Sequence, residues 1–166
     1  MEISIKSLVL FGAVILTGLS AGLFYAWSVS VIPGTQKVID TTYLETMQFI
    51  NRAILNPAFF LVFFGSLVML SIGSIYEFHT NRTVFWLMLS ASITYLIGTV
   101  VVTGLGNVPL NDQLEALRLS ELTADKITAF RKYYETNWNR LHLVRTAFAV
   151  LSFLLVTLAV IIDNKQ

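Results

Sequence analysis

Long apolar runs alternate along this chain with shorter polar stretches. Ser7 to Ser28, Ala53 to Tyr76 and Thr83 to Gly106 carry no charged residue. Each is long enough for a hydrocarbon core of about 30 Å, which a helix of about 20 residues crosses. A fourth run, Thr146 to Ile162, is slightly short, so a comfortable span starts near Leu143 and draws Arg145 into the membrane edge. Backbone in lipid must satisfy its own hydrogen bonds, and four such runs do so as helices. The expected fold is all-α, an integral membrane four-helix bundle. It forms a single membrane domain over residues 1–166, with spans near 7–28, 57–76, 84–105 and 143–162. The long connections, 31–56 and 107–142, are expected to be helical and to lie outside the membrane on one side.

The connections have patterns of their own. After Pro33-Gly34, read as a turn, Thr41 to Leu55 places Leu44, Met47, Ile50, Ile54 and Leu55 at helical spacing, which predicts a helix against the bundle. Asn56-Pro57 ends it, with Pro57 suited to the first turn of the second span. Gly104, Gly106 and Pro109 predict the end of the third span, and Asn111 or Asp112 is placed to cap a short helix through Leu119. Thr123 is placed to cap the next helix. No Gly or Pro follows between Ala124 and Ile162, so that helix is expected to rise roughly 55 to 60 Å as one rod into the membrane.

Composition strengthens this picture. With 166 residues, 55% hydrophobic and 13% charged, and a mean hydropathy of +0.72, the chain is too apolar for a water-soluble domain. The first run is expected to be retained rather than cleaved as a signal peptide, because Phe24-Tyr25-Ala26-Trp27 replaces a small-residue cleavage site. Four spans put both termini on one side with the short turn around Glu77 to Arg82; a bacterial inner membrane is the expected location. The terminal side carries three Lys/Arg (Lys6, Arg82, Lys165) and the long-loop side eight, but the long loops also hold seven of the ten acids, so orientation stays open. A net charge of +1 with no basic cluster beyond Arg131-Lys132 gives no argument for nucleic acid as a partner, and none is expected. Cysteine is absent, leaving nitrogen and oxygen as the ligands for any metal. Glu77 and His79 read as a solvated pair at the end opposite His142, which makes a two-histidine metal site geometrically implausible.

Candidate chemistry gathers at the start of the last span. Trp138, His142 and Arg145 are spaced i, i+4, i+7 and share a helix face, with Tyr134 extending it outward. An imidazole that exchanges protons near neutral pH beside a fixed cation in dry surroundings is a functional arrangement. The structural alternative is that Trp138 and Tyr134 are interfacial aromatics and Arg145 snorkels to headgroups. Asn107 and Asn111 either bond local backbone at the break or converge on a ligand. Tyr95, Thr99 and Thr103 step at four-residue intervals toward Asn107, as a polar stripe facing the interior. Gln48 and Asn51 on the first loop helix are candidates to complete the site. Gly18 and Gly22 are read as internal helix packing rather than dimerisation. Proton-coupled transport is disfavoured because no acid sits mid-span.

Several segments together, Gly18-Leu19-Ser20-Ala21-Gly22-Leu23-Phe24-Tyr25-Ala26-Trp27, Val31-Ile32-Pro33-Gly34, Met47-Gln48-Phe49-Ile50-Asn51, Asn107-Val108-Pro109-Leu110-Asn111 and Trp138 through Leu141-His142 to Arg145-Thr146, resemble the DUF1772 family, also called anthrone oxygenase-like. The resemblance covers residues 12 to 150 and implies a four-helix membrane protein. Fungal members of that family oxidise anthrones to anthraquinones with dioxygen as co-substrate and no dedicated cofactor. By motif, Asn107, Asn111, Trp138, His142 and Arg145 match the family's polar signature, and Gln48 and Asn51 its first-loop signature. The activity it implies puts His142 as base and Arg145, Asn107 and Asn111 around an enolate oxygen, with Trp138, Tyr134, Trp27, Gln48 and Asn51 around an apolar polycyclic or phenolic substrate. The alternative is a non-catalytic membrane module that recognises a lipid, quinone or protein partner. Membrane lipids are expected around it in either case, and the oligomeric state is left open.

Overall fold

In the computed structural model, which describes residues 4–164, the apolar runs form four helical rods: Ile5–Thr35, Pro57–Glu77, Arg82–Glu115 and Ala124–Asp163. Each is long and apolar enough to cross a membrane. The first rod is α1 (Ile5–Ala26), a π-helical turn (Trp27–Val31) and α2 (Ile32–Thr35); α3 (Asp40–Ala53) follows. The second rod is α4 (Pro57–Glu77). The third is α5 (Arg82–Tyr95), two π-helical stretches (Leu96–Val101 and Thr103–Asn107) and α6 (Val108–Glu115). After a short 3-10 turn (Leu119–Glu121), α7 (Ala124–Asp163) is the fourth rod, 40 residues without interruption. Among the described residues there is no strand, and the fold is an all-α integral membrane bundle.

Local chemistry sets most of these ends. The Ser4 hydroxyl accepts from Ser7 N at 3.1 Å, and Asn56 Oδ1 accepts from Phe59 N at 3.0 Å with Pro57 in the first turn of α4. Asn81 Oδ1 accepts from the Thr83 and Val84 amides at the start of α5. Thr123 is the N-cap residue of α7 by position, without a side-chain cap bond. Two expected breaks are absent. Pro33-Gly34 lies inside α2, and Gly104 to Pro109 lies inside the third rod. In both places a π-helical stretch precedes the proline, so the carbonyls that proline leaves without a donor fall where the helical register is already widened. Asn111 is accordingly inside α6 and is not a cap.

The rods pack in a ring, α1 beside α4, α4 beside α5, α5 beside α7 and α7 beside α1. Small side chains line the seams, with Ala13, Ala21, Ala91, Ala149 and Ala159 all buried. Where lipid removes most of the hydrophobic drive between helices, such close approach and interhelical hydrogen bonds hold the bundle. Ser20 and Tyr95 hydroxyls pair at 2.7 Å across the core, and the Ser152 hydroxyl donates to Ala91 O at 2.9 Å. Outward, Phe11, Leu61, Val68, Ile97, Leu105 and Leu143 are exposed on the flanks, as lipid-facing residues are. The tightest approach is at Gly98, where an added Cβ would stand 1.9 Å from Phe148 Cγ. Gly98→Ala is therefore expected to destabilise the bundle by about 1–3 kcal/mol, the usual cost of overpacking. Unfolding in mild detergent measures it, and an unchanged midpoint would disprove the contact's importance.

At the end of the bundle where the chain starts, Lys6 pairs with Glu77 at 2.8 Å and with Asp163 at 2.7 Å, tying α1, α4 and α7 together. Glu77 is fully buried, not solvated as its place in a short turn predicts, because the Lys6 ammonium covers it; His79 is exposed. Lys165 lies outside the described residues. At the other end, α3, α6 and the first half of α7 enclose a second core of Tyr43, Leu44, Met47, Leu110, Leu114, Ile127 and Tyr134. Arg131 braces this layer. It donates to Thr35 O, Gln36 O and Val38 O, pairs with Asp40 at 2.8 Å and lies over the Tyr43 ring at 4.6 Å.

The Thr128 hydroxyl, with the Arg131 guanidinium, holds the Asp40 carboxyl below its ordinary value. A group depressed in this way stabilises the fold above its unfolded value of about 3.9 and ceases to as pH falls through the lower folded value. Stability is thus expected to fall below about pH 4 in the wild type and to fall less steeply in Asp40→Asn. Parallel unfolding curves for the two proteins would remove Asp40 from the account.

Candidate functional site

The inner face of α7 carries the polar residues that the helical spacing predicts. Tyr134, Trp138, His142 and Arg145 are all buried, at 0%, 4%, 1% and 8% exposure. Burial at this depth rules out a snorkelling Arg145, whose head would have to reach water. Its guanidinium carbon lies 4.7 Å from the Phe24 ring centre and 5.0 Å from that of Trp138, held between two aromatic faces. Among the described residues no carboxylate pairs with it. Its Nε and Nη2 lie 3.1 and 2.9 Å from His142 Nδ1, and Nη1 lies 3.4 Å from Thr103 Oγ1.

This geometry assigns the histidine tautomer. A guanidinium only donates, so Nδ1 is the accepting nitrogen and the neutral ring carries its proton on Nε2. Nε2 faces Phe24 O at 3.1 Å and the Ser28 hydroxyl at 3.0 Å, and Thr146 Oγ1 is 3.3 Å away. The ring stacks on Trp138, with centroids 5.0 Å apart and planes 8° apart, and meets Phe24 edge-on. The Nδ1 lone pair, the Nε2 proton and the ring plane of His142 are thereby each met by groups of the first rod and of α7.

Trp138 is itself oriented. Asn111 Oδ1 accepts from Trp138 Nε1 at 2.9 Å and from the Tyr134 hydroxyl at 3.0 Å, while Asn51 Nδ2 donates to the same hydroxyl at 3.3 Å. A chain of hydrogen bonds from α3 through α7 to α6 thus sets the indole. Asn107 Nδ2 donates to Trp138 O at 3.3 Å; its buried Oδ1 has no partner among the described residues. Thr99 bonds across the bundle to Arg145 O at 3.3 Å, not to its own helix as a threonine at this spacing commonly does.

These groups surround a cavity of about 280 Å³ between α1, α3, α4, α6 and α7. Trp138, His142, Arg145, Trp27, Asn51, Asn111 and Thr103 line it with Phe24 and Phe59, and Arg52, Asp112 and Glu115 form a charged rim. Arg52 and Glu115 pair there at 2.8 Å with both side chains about half exposed. Of the residues predicted from sequence, Gln48 stands apart. Its Nε2 donates to Leu114 O and Leu117 O, closing the end of α6. Tyr134 and Asn107 stand behind the cavity wall. Spacing did not single out Phe24, Ser28 or Thr146; the only signal for Ser28 was a hydroxyl one turn beyond Phe24 at the close of an apolar run.

Of the three π-helical stretches, the first and third line the cavity through Trp27 and Thr103, and the second bonds to Arg145 O through Thr99. Trp27 and Ser28 lie on the first, Thr99 on the second, and Thr103 and Asn107 on the third. Such stretches recur at functional sites because the widened turn re-aims side chains that a regular helix would direct elsewhere. Among the described residues no group of three His, Cys, Asp or Glu forms a metal-sized cluster.

Residues 57–155, more than half of the chain, match the protein family described as anthrone oxygenase. The chain belongs to that family. The matched stretch runs from the start of α4 well into α7 and contains Asn107, Asn111, Trp138, His142 and Arg145. The cavity walls of this anthrone oxygenase family member that come from α1 and α3, with Trp27 and Asn51, lie outside it. No curated protein and no solved structure matches the chain.

Proposed function

We propose that this protein is a membrane-embedded oxygenase that removes a proton from an anthrone-like carbon acid and passes the anion to dioxygen. The observation that carries the reading is the pair in the cavity wall: a buried guanidinium with no counter-ion among the described residues, donating to the one accepting nitrogen of His142. A cation so placed favours a ligand on which negative charge develops. The family description supplies the substrate class.

In this mechanism a substrate carbonyl oxygen competes with His142 Nδ1 for Arg145. As the guanidinium turns to that oxygen, the Nδ1 lone pair becomes free and takes a proton from the activated methylene carbon. The resulting enolate oxygen is held by Arg145, and Asn111, whose Oδ1 is taken by Trp138 and Tyr134, offers its Nδ2. The enolate passes one electron to dioxygen, the two radicals join through a new carbon–oxygen bond, and the peroxide takes up the proton from His142. Loss of water from the hydroperoxide breaks the O–O bond and leaves the quinone. One anthrone and one dioxygen thus give one anthraquinone and one water. Trp138 and Trp27 stack on the planar substrate. The spans in this reading are stretches of about 20 residues within the four rods, with both termini on one side of the membrane and the site at the boundary of the other.

Protein in phospholipid nanodiscs is expected to consume dioxygen and form anthraquinone in equal amounts, well above the rate in empty nanodiscs. Equal rates in the two would overturn the oxygenase reading. Anthrone binding without turnover would then favour a recognition module for a quinone-like lipid.

A further inference from the structure

A second hollow adjoins the cavity. Leu23, Ile54 and Phe59 line both the cavity and an open groove between α1 and α4, whose other walls include Gly18, Gly22, Ala58 and Val62. Farther from the site the same seam is closed. A Cβ on Gly65 would lie 3.1 Å from Leu16 Cδ1, and one on Gly12 would lie 3.6 Å from Met69 Sδ. At Gly22 the added Cβ would meet nothing within 4 Å. At Gly18 the added Cβ would meet Phe153 of α7 at 3.1 Å, so it is at Gly22 that the α1 surface beside the cavity lies open. The opening is on the flank of the bundle where Leu19, Leu61 and Phe64 are exposed, so it faces lipid. The cavity's own rim, at the Arg52–Glu115 pair, is charged and faces the loop side.

We propose that the α1–α4 groove is a lateral gateway from the bilayer, and that the ligand is an amphiphile with a planar, acidifiable head and one flexible apolar tail. The head reaches Arg145 and His142, and the tail lies along Gly18, Gly22, Ala58 and Val62. The chemistry of the head rests on the oxygenase reading above; the route and the tail rest on the groove. A tail that passes from lipid into an apolar groove changes its surroundings little, so the groove governs access more than affinity. Passage by the charged rim would instead expose the tail to water, at about a fourfold cost per methylene. Gly22 and Ala58 are exposed and can carry larger side chains into the groove without meeting the core.

The test uses Gly22→Phe on one wall and Ala58→Phe on the other, each in phosphatidylcholine nanodiscs in a Trp86→Phe background, so that emission reports Trp27 and Trp138. Two probes are mixed in: an anthrone with an octyl chain, which partitions into lipid, and a tailless sulfonated anthrone, which stays in water. Each variant is expected to slow association of the octyl probe at least fivefold. Association of the sulfonated probe should also be unchanged, which shows that the site is folded. Unaltered association of the octyl probe, failure of that probe to associate with the wild type, or equal slowing of both probes would overturn the gateway. Quenching reads the route whether or not chemistry follows, so absent turnover with intact, groove-dependent association would sink the oxygenase reading alone.

Discussion

His142→Gln is expected to lower anthrone turnover about 10²- to 10⁴-fold, the range that a positioned general base supplies. The substitution isolates the chemistry because it preserves the local bonding. The glutamine Oε1 can accept from Arg145 as Nδ1 does, and its amide can donate to Phe24 O as Nε2 does. What is lost is a nitrogen that can hold a proton. The helical content of the purified variant and its unfolding midpoint should match the wild type. With the smaller His142→Ala, added imidazole should restore part of the turnover, because the Trp138 face that stacks on the ring and the Phe24 ring that meets it edge-on remain. Turnover by His142→Gln within tenfold of the wild type would remove His142 as the base.

How far the chain could be read in advance depends on the range of the interaction. Features held by neighbours in sequence were legible. The uninterrupted α7 followed from the lack of Gly and Pro between Ala124 and Ile162, and the Trp138, His142, Arg145 face from helical spacing alone. Asn56 at the start of α4 belongs with these. Features decided by distant partners were not legible. Glu77 reads as a turn residue until Lys6 is found on it, and Gln48 reads as a ligand until the end of α6 appears beneath it. Pro33-Gly34 and Gly104 to Pro109 have the residues of chain breaks, yet π-helical stretches carry both rods through. Those stretches have no sequence signature, and they carry Trp27 and Thr103 of the cavity wall and Ser28 and Asn107 beside it. The cavity wall was thus legible where α7 forms it and not where irregular backbone on the other rods completes it.

Arg145→Met is expected to lower turnover about 10²- to 10³-fold while leaving the fold as stable as the wild type or more so. The two effects have one cause. A guanidinium at 8% exposure with no carboxylate beside it has lost most of its hydration, and two aromatic faces, the His142 lone pair and Thr103 replace only part of that. Methionine fills the slot between Phe24 and Trp138 without a charge, which removes the desolvation cost. Against that stands the His142 Nδ1 left without its donor, a loss of about 1–3 kcal/mol unless water in the cavity takes the place. Under the proposed oxygenase reading, such a site costs stability to keep a cation ready for charge that develops in the reaction, so function and stability should move in opposite directions. Arg145→Lys tests the geometry further. A compact ammonium cannot spread donors over His142, Thr103 and a substrate oxygen, so it should recover less than a tenth of wild-type turnover. A large drop in stability for Arg145→Met, with turnover falling only in proportion to the folded fraction, would make Arg145 a structural residue and end its role as oxyanion partner.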